Sequence, residues 1–225
     1  AKSLPLQFLS KHRDNLFQIE AMLFGQAGLL EKEFSDNYPK QLKQEYQVLK
    51  SKFSLQPIDT HTWKFMRLRP KNFPTIRIAQ FAMLIHQSEH LFTKILEEKT
   101  IEGFYRLFKI DVSDYWANHF IFEKASKNQI KTLGKNSINN ILINTVVPFL
   151  FVYGEQKGEE LYKERAVEIL EAIQGEQNFI TKEWESIGVK NKSAFQSQAL
   201  IELKNNYCDK KLCLNCAIGN QLMRN

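Results

Sequence analysis

This chain of 225 residues predicts an all-α fold, an irregular multi-helix array with a long Pro-containing loop. Three observations predict it. Apolar residues recur at three- and four-residue spacing through most of the chain. Nine Gly and six Pro leave little material for the repeated tight turns of an all-β protein. Runs of β-branched residues with alternating polarity are nearly absent.

The elements follow in order. Residues 4–24 read as one helix closed by Gly25 and Gly28. Tyr38–Phe53 carries Leu42, Tyr46 and Leu49 at helical spacing. Gln56–Pro74 reads as extended, and Thr75 as the N-cap of a helix reaching Ile85. Further helices fit Glu89–Glu97, Ile101–Phe108 behind Thr100, and the segment behind Ser113 that holds Tyr115, Trp116 and Phe120. Lys124–Leu133 reads as a polar helix. Ser137 opens an apolar helix through Tyr153, with a kink expected at Pro148. Lys157–Ile173 is amphipathic, with Leu161, Ala166, Ile169, Leu170 and Ile173 facing inward. Thr181–Ile187, Ser193–Asn206 and Leu212–Met223 complete the array.

Composition narrows the class. A chain of this size buries roughly 70% of the surface its unfolded form exposes, so a core is attainable without disulfides. Residues 1–225 are read as a single α-helical domain with two sub-parts hinged near 134–154. The run Ile138–Tyr153 is interrupted by Asn139, Asn140, Asn144 and Pro148, and is read as too short for a bilayer span. Three cysteines form no disulfide framework, which points to a reducing cytoplasmic location with no membrane partner. Net charge +6 permits nucleic acid without requiring it. Its distribution says more: no acid occurs from Thr60 to Ser88 or from Lys124 to Gly154.

The first acid-free stretch concentrates Lys64, Arg67, Arg69, Lys71 and Arg77 among Trp63, Phe65 and Phe73. Guanidinium forks suit phosphate or carboxylate. The helix start expected near Thr75 adds free backbone N–H groups. In an extended segment Arg67 and Arg69 would project from one face. The structural counterpart is that these arginines pair with carboxylates and pin an irregular loop to the core. Lys124, Lys127, Lys131 and Lys135 would form one stripe on a helix, either tracking a phosphate backbone or simply solvated.

Cys208, Cys213 and Cys216 form C-x4-C-x2-C in an otherwise cysteine-free chain. The spacing suits zinc or an iron–sulfur cluster, with His86, His90 or His119 as fourth ligand. Cys213 and Cys216 alone suit a redox pair at a helix start, and three buried thiols are the structural counterpart. His86-Gln87-Ser88-Glu89-His90 matches H-x-x-E-H, the zinc motif of inverted metallopeptidases, provided that one continuous helix carries it. No nucleophile elbow, P-loop or G-x-G-x-x-G occurs.

IEAMLFGQAG (Ile19–Gly28), WKFMRLRPKNFPTIRIAQFA (Trp63–Ala82), INTVVPFLFVYG (Ile143–Gly154) and SQALIELKNNYCDKKLCLNCAIG (Ser197–Gly219) together resemble an uncharacterised bacterial family of unknown function. The resemblance implies that this helical chain is the C-terminal portion of a longer protein. The resemblance also implies a preceding region with loosely nuclease-like acidic and Lys-bearing strands. It supplies no activity, catalytic residue or ligand.

The expectation is a cytoplasmic binding or accessory module for an anionic ligand such as nucleic acid, with no enzyme activity assigned to this chain alone. Two alternatives stand beside it: a structural support for the preceding region, and a zinc-dependent hydrolase built on H-x-x-E-H.

Overall fold

The computed structural model describes residues 4–224, and the chain divides into two compact units. The first is Ala1–Thr93 with Arg106–Gly134; the second is Lys94–Tyr105 with Lys135–Asn225. The chain therefore leaves the first unit at 93, returns at 106 and leaves again after Gly134.

In the first unit α1 (Leu6–Lys11), α2 (Leu16–Gln26), α3 (Asn37–Phe53) and α4 (Pro74–Gln87) supply most of the core. The single helix expected over residues 4–24 is two. The first ends at Lys11 and Asn15 caps the start of the second, its side chain accepting from the Gln18 N–H at 3.1 Å. Gly28, at φ +71°, takes the left-handed turn after α2. Gly25 instead lies within α2, where the Tyr46 ring of α3 occupies the space a Cβ would need. Ile19, Met22, Phe24, Leu42 and Ile76 meet in a fully buried cluster. Each contributes on the order of 1.5–3 kcal/mol relative to exposure.

Between α3 and α4 the long loop is tied down at its start. The Ile58 N–H donates to the Gln26 carbonyl at 2.9 Å, and the Gln26 side chain donates to the Gln56 carbonyl. The Trp63 indole N–H donates to the Ala27 carbonyl at 2.8 Å. Thr75 is not the N-cap of α4. The helix begins at Pro74, whose missing N–H costs nothing in a first turn, and the buried Thr75 hydroxyl donates to the Phe120 carbonyl instead.

α5 (Leu91–Glu97) and α6 (Ile101–Leu107) carry the chain across and back, and α7 (Asp114–Ala117) precedes a hairpin. β1 (His119–Ile121) pairs antiparallel with β2 (Lys124–Ala125), turning at Glu123 with φ +64°. This overturns the polar helix expected over Lys124–Leu133. Lys131, only 2% exposed, explains why. Its ammonium donates to the Trp116 carbonyl at 2.6 Å and the His119 carbonyl at 2.8 Å, and stands 3.9 Å from the centre of the Phe120 ring. A helix would have put this lysine in a solvated row. The extended chain lets it close three neighbouring segments together, so the lysine stripe does not form.

The second unit centres on a helical run of 23 residues, Lys135–Lys157. It comprises α8 (Lys135–Ile141), one wide π-type turn over Leu142–Val146, and α9 (Val147–Lys157). The wide turn absorbs Pro148, which has no N–H to give an α-helical carbonyl. The asparagines do not interrupt the run, so by length and composition this helix is long and apolar enough to cross a bilayer. Ile138, Leu142, Val146 and Leu150 are nonetheless buried within the protein. α10 (Glu160–Ala172) packs against α9, closely enough at Gly154 that a Cβ there would meet the Glu159 carbonyl at 2.8 Å. Left-handed Gly158 separates the two helices, which resets the helical phase and leaves Leu161 exposed rather than inward. α11 (Phe179–Ser186), α12 (Ala194–Leu203), a second π-type turn over Lys204–Cys208 and α13 (Ala217–Arg224) follow.

Candidate anion-binding site

The basic segment Trp63–Arg77 belongs wholly to the first unit. Trp63 fixes its beginning on α2, and Arg77 fixes its end. Half-buried in α4, Arg77 donates to Asn72 Oδ1 at 2.8 Å and to Gln80 Oε1 at 2.9 Å. Gln80, itself buried, donates at 2.7 Å to the carbonyl of Lys131. Arg77 is thus engaged with the scaffold, and burial lowers its pKa without removing its charge. Burial also lowers the pKa of Lys131, with Lys71 adding like-charge repulsion.

Between these anchors the segment is open. Lys64, Arg67, Arg69 and Lys71 are exposed, and among the described residues none of the four forms a salt bridge. Arg67 sits at φ +63°, a left-handed conformation costly for a residue with a side chain. That turn breaks the extended geometry which would have put Arg67 and Arg69 on one face. Met66 beside it is 85% exposed, an adaptable apolar group held in solvent among cations.

The same segment walls a cleft of about 570 Å³. Phe65, Pro70 and Phe73 form one side, and Phe120, Ile121 and Lys124 of the hairpin form the other. Phe65 and Phe73 meet edge to face with centroids 5.4 Å apart. An adjoining hollow of about 440 Å³ shares Phe65 and Ile121. Sequence reasoning places the cations but misses the hairpin half of the cleft, because it puts Lys124 and Phe120 in helical segments. A flat ring slides between aromatic walls at favourable energy, and the adjacent cations suit a negative group on the same molecule.

The structure does not bring the candidate metal ligands together among the described residues. Among the described residues no three His, Cys, Asp or Glu side chains converge to hold a metal. H-x-x-E-H fails because α4 ends at Gln87, and His90, at φ +52°, lies beyond it. His86 Nδ1 is bonded to the Arg13 carbonyl at 2.7 Å, and Glu89 pairs with Arg13 at 3.1 Å. His90 is therefore not on the helical face of His86. Cys208 closes a π-type turn, Cys213 opens a 3-10 turn and Cys216 precedes α13. Two of these thiols are exposed and none is bonded to another. They are neither a metal cluster nor the buried trio that was the structural counterpart. His119, offered as their fourth ligand, stacks on Tyr115 with centroids 4.0 Å apart and bonds the Tyr115 carbonyl through Nδ1.

Residues 1–179 match the model of the family described as "Protein of unknown function (DUF2851)". The match takes in the basic segment and the cleft and stops before Ser197–Gly219, so the cysteines lie outside it. No curated protein and no solved structure matches the chain.

Proposed function

The chain belongs to DUF2851, a family of unknown function, and we propose that its first unit is a binding module for single-stranded nucleic acid. One observation carries the reading: the loop that walls the aromatic cleft is the loop that holds four exposed cations with no salt bridge among the described residues. Aromatic walls accept any base because every base has a π-face, while Lys and Arg track the phosphates. A duplex hides its bases in the stack and offers the cleft nothing. The reading is one of binding, with no chemical step. It takes the cytoplasm as the compartment, where the three thiols remain reduced.

Fluorescence anisotropy with labelled oligo-dT, oligo-U and a DNA duplex, at two salt concentrations, tests it. Single strands are expected to bind more tightly than the duplex, with affinity falling as salt rises. Removing Arg67 and Arg69 together by alanine substitution should reduce the salt slope by roughly 0.7 for each phosphate that is no longer neutralised. Phe65→Ala should cost on the order of 1–3 kcal/mol of binding while leaving that slope unchanged. Equal affinity for duplex and single strands, or binding indifferent to salt, removes the proposal.

A second reading is a scaffold on which another polypeptide docks, such as a region preceding this one in a longer protein. Phe149, Phe151 and Val152, each exposed on α9, favour it. Co-purification with a separately expressed preceding region is its test.

A further inference from the structure

The second unit contains a cleft of about 390 Å³ whose chemistry is unlike that of the first. Asn136, Asn139, Asn140 and Ile143 stand at i, i+3, i+4 and i+7 and so present one face where α8 runs into the π-type turn. The opposite wall is the loop Gln174–Asn178. That loop is fixed before any ligand arrives. Its Gly175 N–H donates to the Lys192 carbonyl at 3.1 Å, and its Glu176 N–H donates to Ser197 Oγ at 2.7 Å. The Glu176 carbonyl accepts from Asn191 and Thr181, each at 2.8 Å, and Glu176 Oε2 accepts from Gln198 at 2.5 Å. Gly175 lies so close to Asn191 that a Cβ would meet its carbonyl at 2.6 Å.

The lining is amide-rich and carries no lysine or arginine. Asn139 spends its carbonyl on the Tyr105 hydroxyl and Asn178 spends its own on the Thr181 N–H, which leaves both amide NH₂ groups as donors. Asn136, Asn140 and Gln174 are exposed, and their side chains have no hydrogen bond among the described residues. Glu176 Oε1 has no hydrogen bond among the described residues. Paired donors and acceptors on rigid walls, over the buried aliphatic floor of Ile143 and Ile173, match adjacent hydroxyls on a ring with apolar C–H faces. The lack of cations, together with the Glu176 carboxylate, disfavours phosphate.

We propose that this cleft binds the vicinal hydroxyls of an uncharged sugar ring, supplied either by a free sugar or by the ribose of a nucleoside. The site is independent of the cleft in the first unit, and its test uses neutral probes and second-unit variants, so the two readings fail separately.

Saturation-transfer NMR and calorimetry on the full chain would use glucose, N-acetylglucosamine, adenosine, 2′,3′-dideoxyadenosine and glucose 6-phosphate as probes. Saturable binding of a hexose without adenosine identifies a free sugar as the source. Binding of adenosine at least roughly tenfold tighter than its dideoxy analogue, the loss of one good hydrogen bond, identifies ribose. Gln174→Ala and Asn140→Ala should each weaken the bound probe by about tenfold with an unchanged melting temperature, and Asn140→Trp should abolish binding by filling the cleft. If Asn140→Trp fails to fold, the two alanine variants carry the test. No saturable binding of any neutral probe up to about 10 mM, roughly tenfold above a millimolar Kd, overturns the proposal. So does binding that both alanine variants leave intact, or a preference for glucose 6-phosphate over glucose.

Discussion

Gly25→Ala sets helix propensity against helix approach, and the structure decides the sign. Within α2 alanine is favoured over glycine by about 0.8–1.0 kcal/mol. Against that, a Cβ at position 25 would lie 2.1 Å from Cγ of Tyr46, with two more ring carbons at 2.2 and 2.4 Å. Carbon atoms pack at about 3.5–4.0 Å, so the ring or α3 has to retreat by more than an ångström. Tyr46 has no easy retreat. It is 4% exposed, and its hydroxyl donates to Gln26 Oε1 at 3.2 Å. Overpacking of this kind costs roughly 1–3 kcal/mol and occasionally more, so a net destabilisation of about 1–2 kcal/mol is expected after the propensity gain. Urea denaturation measures it. Tyr46→Ala alone should cost about 3–5 kcal/mol, and adding Gly25→Ala to that variant should cost nothing further. A Gly25→Ala protein more stable than its parent would refute the steric reasoning.

Two further outcomes follow from single side chains. Glu20 is fully buried and accepts from the Tyr38 and Ser113 hydroxyls with no salt bridge among the described residues, and burial raises its pKa above the ordinary 4.5. Above that value the unfolded chain has released a proton that the folded chain keeps, so stability falls as pH rises through the window up to the raised pKa. Glu20→Gln, which keeps an acceptor oxygen, should melt higher than the parent at neutral pH and show a flatter profile above pH 4.5; a lower melting temperature at neutral pH would contradict this. Trp63→Phe keeps an aromatic ring but removes the bond to the Ala27 carbonyl along with part of the ring, so it should cost at least about 0.5–1.5 kcal/mol in denaturation and weaken oligo-dT binding although no charge is lost. Unchanged binding would show that the basic loop needs no anchor there.

The helical architecture was legible because the longer helices bury a stripe at regular spacing: Leu42, Tyr46 and Leu49 in α3 do so as the periodicity demands. Departures occur where tertiary partners override a local signal. Asn15 splits the first helix because its side chain satisfies a backbone donor, which periodicity does not register. The hairpin at 119–125 was invisible because its turn uses Glu123 in a left-handed conformation rather than glycine. That residue is held by the Ser35 amide and hydroxyl and by Lys32, at 2.9 Å, and these partners depress its pKa to about 2. Lys131 misled for a related reason: a lysine reads as solvated unless the carbonyls that receive it are known, and those come from residues 116 and 119. The amide cleft was illegible for the same cause, since the asparagines of α8 and the loop at 174–178 stand more than thirty residues apart.

The arginines of the basic segment show why charge alone does not locate a site. Arg77 and Arg67 are the same residue type in the same acid-free stretch, yet they serve opposite ends of the loop. Arg77 has its guanidinium held by Asn72 and Gln80, and through Gln80 it is linked to the carbonyl of the lysine that closes the hairpin. Its contribution is to keep the Phe73 side of the cleft in register with the Phe120 side. Arg67 and Arg69 have no such partner among the described residues and extend into solvent, Arg67 from a left-handed backbone position that is costly to hold. A loop pinned at Trp63 and Arg77 fixes its aromatic walls while its cations stay exposed. On the proposed reading, phosphate spacing would vary along a flexible single strand and ring thickness would not. The fixed part of the site would then fall where the proposed ligand is uniform, and the exposed charge where it is not.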